Sequence, residues 1–523
     1  MIKYTPSNQL TLSGFSHPFD QELSPENRWV KLAEIIPWDA LASVYLKQLS
    51  TNSGRESVDA RMVIGAIIVK HKLHISDRET VAMISENIYL QYFCGLTSFQ
   101  TKAAFHPTVF VDIRKRMGAN SFDAWNALII EKAEDLKPNK KKNSSKNNTD
   151  DGGNKTNKGT LKIDATVANQ QIVFPTDAGL LNTARKQTER VIDLLYKQCP
   201  GSTKKPRDYR RIARTEYLVF SKKRRKTRKE IRKFIRKQLG YVKRNIAYIE
   251  ALLNQLELQR TTAAYLEMFP DMKNPYPAMF PLSKRDQKLY WVIQHMYEQQ
   301  QYMYENKTHS VKNRIVNIYQ PYVRPIPRGK DKAATEFGAK ISASEVDGMS
   351  RVEHISWDNF NESVDLKLQA EIYKTTFGHY PELLLADQIY LNRNNRKWLK
   401  EHNIRTVGKP LGRPPKQELN AYQKRKLKKE RNQRNLIEGK FGQAKNAYGL
   451  GNIKAKRSDT SQSWISAIFF IMNLITLSKI VDKYAIFCVF FEKYTKNIFG
   501  KQFKTSKCYM LRFSFKKQHL KYA

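Results

Sequence analysis

Three carboxylates stand out for where they sit along the chain. Asp164 lies within Leu161–Ala168 (LKIDATVA), Asp387 ends the apolar run Leu383–Ala386, and Glu438 sits four residues after Arg434 and seven before Lys445. Brought together, three carboxylates repel one another unless hard cations bridge them, and that arrangement is how Mg2+ is held in phosphoryl-transfer sites. At about 100° per residue, Arg434, Glu438 and Lys445 fall within roughly 40° of one another on a helix. One helical face therefore presents a carboxylate between two cations. Taken alone, an Arg434–Glu438 pair four residues apart is also what a surface salt bridge looks like, contributing only about 0.3 to 0.5 kcal/mol.

These residues need particular elements to hold them. Leu161–Ala168 alternates apolar and polar, which predicts a strand with one buried face and Asp164 on the polar one. Leu383–Ala386 is continuously apolar, as in a strand buried on both faces, and Asp387 follows at its C-terminal end, where ligands gather in open α/β sheets. Around Glu438, the stretch from Tyr422 to Tyr448 has strong helix formers and apolar residues at Ile437, Phe441, Ala444 and Tyr448. That spacing predicts one helix packed on a core. Further strands are expected at Arg314–Tyr319 and at Phe337–Val346, the second closing on the turn pair Asp347-Gly348. A helix is expected over Val364–Thr376, ended by Gly378 and Pro381.

Before Asp164 the chain has two different parts. Residues 1–136 read as an all-α domain. Apolar residues recur at helical spacing from Met62 to Ile68 and from Val81 to Ile84, around a polar turn that Ser76 or Asp77 could cap. This arrangement is shared by DNA-binding helix-turn-helix units and by bundles that bind nothing. Residues 137–160 are rich in Lys, Asn, Gly and Ser with almost no apolar side chain, the composition of a flexible linker.

The charge balance narrows the partner. The chain has 523 residues, enough for two or three cores, with 92 Lys and Arg against 49 Asp and Glu, a formal charge of +43. An excess of this size self-repels unless a polyanion neutralises it, and nucleic acid is the leading one. Much of it is concentrated from Lys204 to Arg244, with 19 Lys and Arg against 3 acids, including Lys222, Lys223, Arg224, Arg225, Arg228 and Arg232. With so few acids to pair with, phosphate contact is favoured over a solvated helical face. The surrounding region, about 183–310, reads as helical.

Four cysteines, Cys94, Cys199, Cys488 and Cys508, are widely spaced with no CxxC pair, which suggests neither a disulfide framework nor a thiolate zinc site. The N-terminus lacks the basic-then-apolar pattern of a secretory signal. Trp464–Leu477 is apolar but shorter than a membrane span of roughly 20 residues and contains Asn473, so a buried helix is expected and no membrane partner. Residues 482–523 form a basic, aromatic C-terminal extension with no assigned role.

The order of these pieces resembles the DDE transposases of bacterial insertion sequences, specifically the insertion-sequence-five superfamily. The matching segments are Leu161–Ala168, Gln320–Lys330 (QPYVRPIPRGK), Glu336–Lys340 (EFGAK), Leu384–Tyr390 (LLADQIY) and Arg434–Leu450, the last carrying the spacing R-x3-E-x6-K. That signature often places Tyr three residues before the Arg; this chain has Arg431. The resemblance implies an α/β fold, with an RNase H-like mixed-sheet catalytic domain over 161–481 interrupted by the basic helical insertion. It implies that Asp164, Asp387 and Glu438 are catalytic and bind two Mg2+ or Mn2+ ions, and that Arg434, Lys445 and the basic insertion contact DNA. The activity implied is metal-dependent cleavage and strand transfer at terminal inverted repeats and target DNA. A homo-oligomer on DNA, in the bacterial cytoplasm at the nucleoid, goes with it. A structure-specific nuclease on the same fold and a non-catalytic, transposase-derived DNA-binding protein are the alternatives, and strand joining separates the first of them. A basic RNA-binding protein is more distant, because no RNP-type aromatic motif is present.

Overall fold

The computed structural model describes residues 4, 6, 22–49, 56–136, 157–199, 201, 203–266, 281–330, 333–412 and 420–499. Most of the expected linker and the end of the C-terminal extension lie outside these residues. The chain divides into two compact units: Met1–Gln170, Lys340–Ser356 and Phe360–Ala523 form one, and Gln171–Ala339 with Trp357–Asn359 the other.

The first unit begins with helices α1 (Arg28–Ile35), α2 (Trp38–Leu46), α3 (Ala60–Leu73), α4 (Asp77–Glu86), α5 (Ile88–Phe93) and α6 (Val109–Asp135, bent at Gly118). Rings of Trp29 and Trp38 meet Phe93 edge-on, and the Trp125 indole donates to the Leu41 carbonyl at 2.9 Å. Ser76, not Asp77, caps α4, in a reciprocal capping box with Glu79. Helix α3 is buried from Ala60 to His71, and the exposed residues of α4 are Arg78, Glu79, Ala82 and Glu86. That exposed face carries two acids to one base. Strand β1 (Thr160–Asn169) follows.

The second unit is the helical insertion: α7 (Asp177–Tyr196), α8 (Arg210–Lys222), α9 (Arg228–Leu266) and α10 (Lys284–Glu305). Leu181, Ala184, Leu239, Val242, Ile293 and Met296 fill one part of its core, and Val191, Ile192, Leu195, Ile249 and Leu252 another. The strand expected at Arg314–Tyr319 does not form. Asn317 accepts from the backbone N–H groups of Tyr319 and Gln320 at 2.8 and 3.2 Å, making a side-chain-closed turn that competes with extended backbone. Ile315 and Ile318 are buried nonetheless, as plugs in the helical core.

A strand absent from the sequence reading, β2 (Arg324–Lys330), pairs antiparallel with the start of β3 (Ala333–Val346). Pro325 and Pro327 cannot donate to a ladder, and β2 has a strand on one side only, where prolines are tolerated. From Lys340 onward β3 belongs to the first unit. There it turns through Asp347 and Gly348, with φ of 50° and 88°, into β4 (Met349–Ser356). Two consecutive positive φ values define the tight hairpin turn that suits an Asp-Gly pair.

Helix α11 (Asp365–Phe377) ends at Gly378 in the left-handed conformation, and β5 (Leu383–Leu385), α12 (Arg393–Glu401), β6 (Arg405–Thr406), α13 (Ala421–Gln433), α14 (Asn435–Ala447) and α15 (Ser458–Phe499) follow. In this unit the sheet order is β4-β3-β1-β5-β6, with β1, β5 and β6 parallel and β3–β4 antiparallel. Leu161, Ile163 and Leu384 point to a core shared with α11 and α12, whereas Leu383 and Leu385 pack with Val407 and Leu427 on the opposite face.

Helix α15 is long and apolar enough to cross a membrane, yet the run Trp464–Leu477 is almost wholly buried against α6, α3 and β4. Asn473 explains why this run is a core helix. Its fully buried amide donates to Asn126 Oδ1 at 3.1 Å and to the Ser350 carbonyl at 2.6 Å, and accepts from the Ser350 N–H at 2.8 Å. A polar group satisfied by α6 and β4 costs little there; in lipid it would stand alone.

Candidate active site

Strand β1 carries Asp164, and its polar face is not solvated as the alternation predicted. Lys162 is buried in an ion pair with Glu345 at 2.7 Å and Thr166 is 3% exposed, so the strand is covered on both faces. Asp164 is the exception, partly open, and its Oδ1 accepts from the Ala165 N–H at 2.8 Å. Burial pushes its carboxyl up to about 6, helped by the nearby charges of Glu362 and Glu438 and opposed by the Ala165 N–H and Arg434.

Strand β5 brings the second carboxylate. It runs parallel to β1 with Thr160, Leu161 and Lys162 opposite Leu383, Leu384 and Leu385. The ladder ends at that last pair, and Asp387 follows two residues later, beyond the C-terminal end of β5. Asp164 lies on the face of Lys162, because side chains alternate with period two. Asp387 is exposed and caps the short 3-10 turn Gln388–Tyr390, accepting the Gln388 N–H at 2.7 Å.

The third arrives on α14, which packs on β1, with Ile437, Phe441 and Ala444 buried along its inner stripe. The helix expected from Tyr422 to Tyr448 is interrupted: α13 ends at Gln433 and α14 begins at Asn435. Arg434 stands at the break. Its guanidinium lies 2.7 Å from Glu438 Oε1 and 3.8 Å from Asp164 Oδ2, so one side chain reaches two of the three carboxylates. The surface pair between Arg434 and Glu438 is therefore real, and it also extends to the strand. Lys445 lies in the last turn of α14, two turns and roughly 10 Å along the axis from Glu438.

Among the described residues, no three Asp, Glu, His or Cys side chains are gathered tightly enough to hold a metal ion. The carboxylate oxygens are nonetheless of the hard-donor type that Mg2+ and Mn2+ take. Beside them lies a cleft of about 470 Å³, lined by Leu385–Gln388, Val407–Lys409, Arg431, Asn432, Arg434 and Asn435. Arg431, standing where the resembling signature often has Tyr, donates to the Val407 carbonyl at 3.3 Å.

Sequence reasoning missed Glu362. It is mostly buried, ion-paired with Lys340 at 2.9 Å, and its charge is felt by Asp164. Nothing at Glu362 itself signals this; only Lys340, at the end of the EFGAK segment, had been singled out. Of the basic residues noted in the insertion, Lys222 ends α8, and Lys223, Arg224 and Arg225 form the turn before α9, all exposed. Lys223 pairs with Glu230, Arg228 is exposed on α9, and the Arg232 guanidinium lies 4.1 Å from the centre of the Tyr304 ring.

Residues 384–475 match the family model of a transposase DDE domain, and residues 17–116 that of a transposase domain, DUF772. The first match includes Asp387, Arg434, Glu438 and Lys445; Asp164 lies before it. Over 170 residues the chain is 27% identical to the uncharacterized protein ORF8 in nfe locus of Rhizobium meliloti, covering 32% of this chain and 73% of that protein. No solved structure matches.

Proposed function

We propose that this chain, which its two transposase-domain matches identify as an insertion-sequence DDE transposase, binds the ends of its element and cuts and rejoins DNA at Asp164, Asp387 and Glu438. The observation that carries the reading is the Arg434 guanidinium reaching both Asp164 and Glu438, with Asp387 just past the end of the strand parallel to β1. The mixed sheet with helices on both faces and a helical insertion after its first strand supports an RNase H-like core.

Asp164, Asp387 and Glu438 would hold Mg2+ or Mn2+. When bound, such ions activate the attacking oxygen and stabilise the departing one. The chain's own contribution is position and charge. β1 and the end of β5 position two carboxylates, and α14 delivers the third. Arg434 offers donors beside them, and Lys445 together with the Lys222–Arg232 cluster supplies phosphate contacts that hold the DNA. On DNA the protein works as a homo-oligomer.

The test is to replace each carboxylate separately, Asp164→Asn, Asp387→Asn and Glu438→Gln, and to measure cleavage and joining of end-containing DNA in Mg2+ beside binding without metal. Each variant loses cleavage and keeps binding. Near wild-type cleavage by any one removes that residue from the trio, and cleavage without joining by the wild type turns the reading to a nuclease.

A further inference from the structure

We infer that α13 is a second phosphate-backbone binding surface, separate from the basic insertion, which feeds a DNA strand into the cleft beside Asp387. The inference rests on the transposase reading for the identity of the polyanion and on the structure for the place.

Helix α13 is built unlike a helix that serves a core. Only Glu430 is buried among its 13 residues, and Leu427 is half-buried against Leu383, Leu385 and Val407. Those two lie on one narrow face at about 100° per residue. The Glu430 carboxylate is locked to Arg405 by two hydrogen bonds of 2.8 and 2.9 Å, which pins the helix to β6. Lys424, Arg425, Lys426, Lys428, Lys429 and Arg431 are all exposed around the remaining circumference. The single acid of the helix is turned inward to Arg405, so the outward face carries six cations and no acid of its own.

Six cations on four turns repel each other, and a polyanion laid along them relieves that repulsion. Lys424, Lys428 and Arg431 form one stripe at i, i+4 and i+7, roughly 10 Å long. At a rise of about 3.4 Å per nucleotide, it spans roughly three phosphates of one strand. The stripe points along the axis toward the cleft, whose wall includes Arg431 and Arg434 from the α13–α14 junction and Asp387 from the strand end. A polyanionic strand lying on α13 thus runs toward the carboxylates. An anionic membrane would need a flat apolar anchor beside the charge, and α13 exposes no large apolar side chain except Tyr422 at its first turn.

The test uses the full chain carrying Lys424→Gln, Lys428→Gln and Arg431→Gln together, with Arg405 and Glu430 left intact to keep the helix docked. Binding to duplex DNA of unrelated sequence is measured without divalent metal over a range of salt, beside circular dichroism and binding to vesicles containing phosphatidylserine. We expect native helicity, at least a tenfold loss of DNA affinity and a log–log salt slope shallower by roughly 2 to 3 units. An unchanged slope in a folded variant overturns the inference, as does a loss confined to vesicles. Should circular dichroism show a misfolded variant, Lys428→Gln alone is measured, with a slope change of roughly one unit expected and no change overturning it. Because no step needs metal or cleavage, a wild type that binds but never cleaves would defeat the catalytic reading and leave this one standing.

Discussion

Replacing Arg434 with Ala separates a structural from a chemical role for the side chain that reaches two of the carboxylates. Its pair with Glu438 is partly solvated, with side chains 26% and 50% exposed, and contributes no more than about 0.5 kcal/mol. Its approach to Asp164 at 3.8 Å is toward a carboxylate only 16% exposed. At an effective dielectric constant of about 20, the gross attraction at that distance is roughly 4 kcal/mol, most of it offset by desolvation and side-chain ordering. A net loss of about 1 to 2 kcal/mol follows, a drop of a few degrees in melting temperature. The effect on chemistry is larger. Without the guanidinium, Glu438 on its helix and Asp164 on its strand lose their shared tie, and a displacement of about 1 Å in a reacting array costs on the order of a hundredfold in rate. Single-turnover cleavage at saturating DNA should therefore fall about a hundredfold, while DNA affinity falls less than tenfold. Arg434→Lys keeps the charge but not the planar fork and should fall between Ala and wild type. Wild-type cleavage by Arg434→Ala at a lowered melting temperature would refute this reasoning and leave a plain salt bridge.

Lys162→Met should destabilise by about 3 to 5 kcal/mol, because Glu345, 1% exposed, is left charged and buried; adding Glu345→Gln should recover most of the loss in denaturant titration. If the single variant is as stable as wild type, the pair contributes nothing to the fold. Burial holds the Asp123 carboxyl up at about 6, above its ordinary 3.8, so its ionisation opposes folding. The penalty is absent below about pH 3, grows as pH rises and is complete above about pH 6; Asp123→Asn should stabilise by up to about 3 kcal/mol at pH 7.5 and by almost nothing at about pH 3. A pH-independent difference in melting temperature would contradict it. Replacing Lys222, Arg224, Arg225 and Arg228 with Gln should reduce the salt slope of duplex binding by roughly one unit per contact, and an unchanged slope would mean that this turn faces solvent.

The elements legible in the sequence were those whose local pattern and tertiary role agree. Leu383–Leu385 reads as doubly buried and is, and Gly378 ends α11 where a helix needs a left-handed residue. The Trp464–Leu477 run is buried because Asn473 finds partners, though the sequence could not say that they are Asn126 and Ser350. What escaped depends on residues far apart in the chain. Lys162 looked solvent-facing because Glu345, its partner, is on another strand. Glu362 joins the surroundings of Asp164 from almost two hundred residues away, tied to Lys340 in the middle of β3. The failed strand at Arg314–Tyr319 is a local error of another kind, since an Asx turn gives alternating residues a different backbone. The break at Arg434 also left no mark, because its residues keep helical φ and ψ on both sides.

The register between β1 and β5 also sets an order of events during synthesis. Thr160 pairs with Leu383, so β1 leaves the ribosome more than two hundred residues before its parallel neighbour exists. At typical elongation rates of about 5 to 20 residues per second, that interval is roughly 10 to 40 s. During it the helices between can collapse on their own cores, because their contacts are local, while the first strand waits with its edge unpaired. A nascent chain stopped at the end of α13 would hold two of the three carboxylates and no Arg434. The three carboxylates are thus all present only once α14 has been made, shortly before α15, the helix that packs on α6 and α3, follows it.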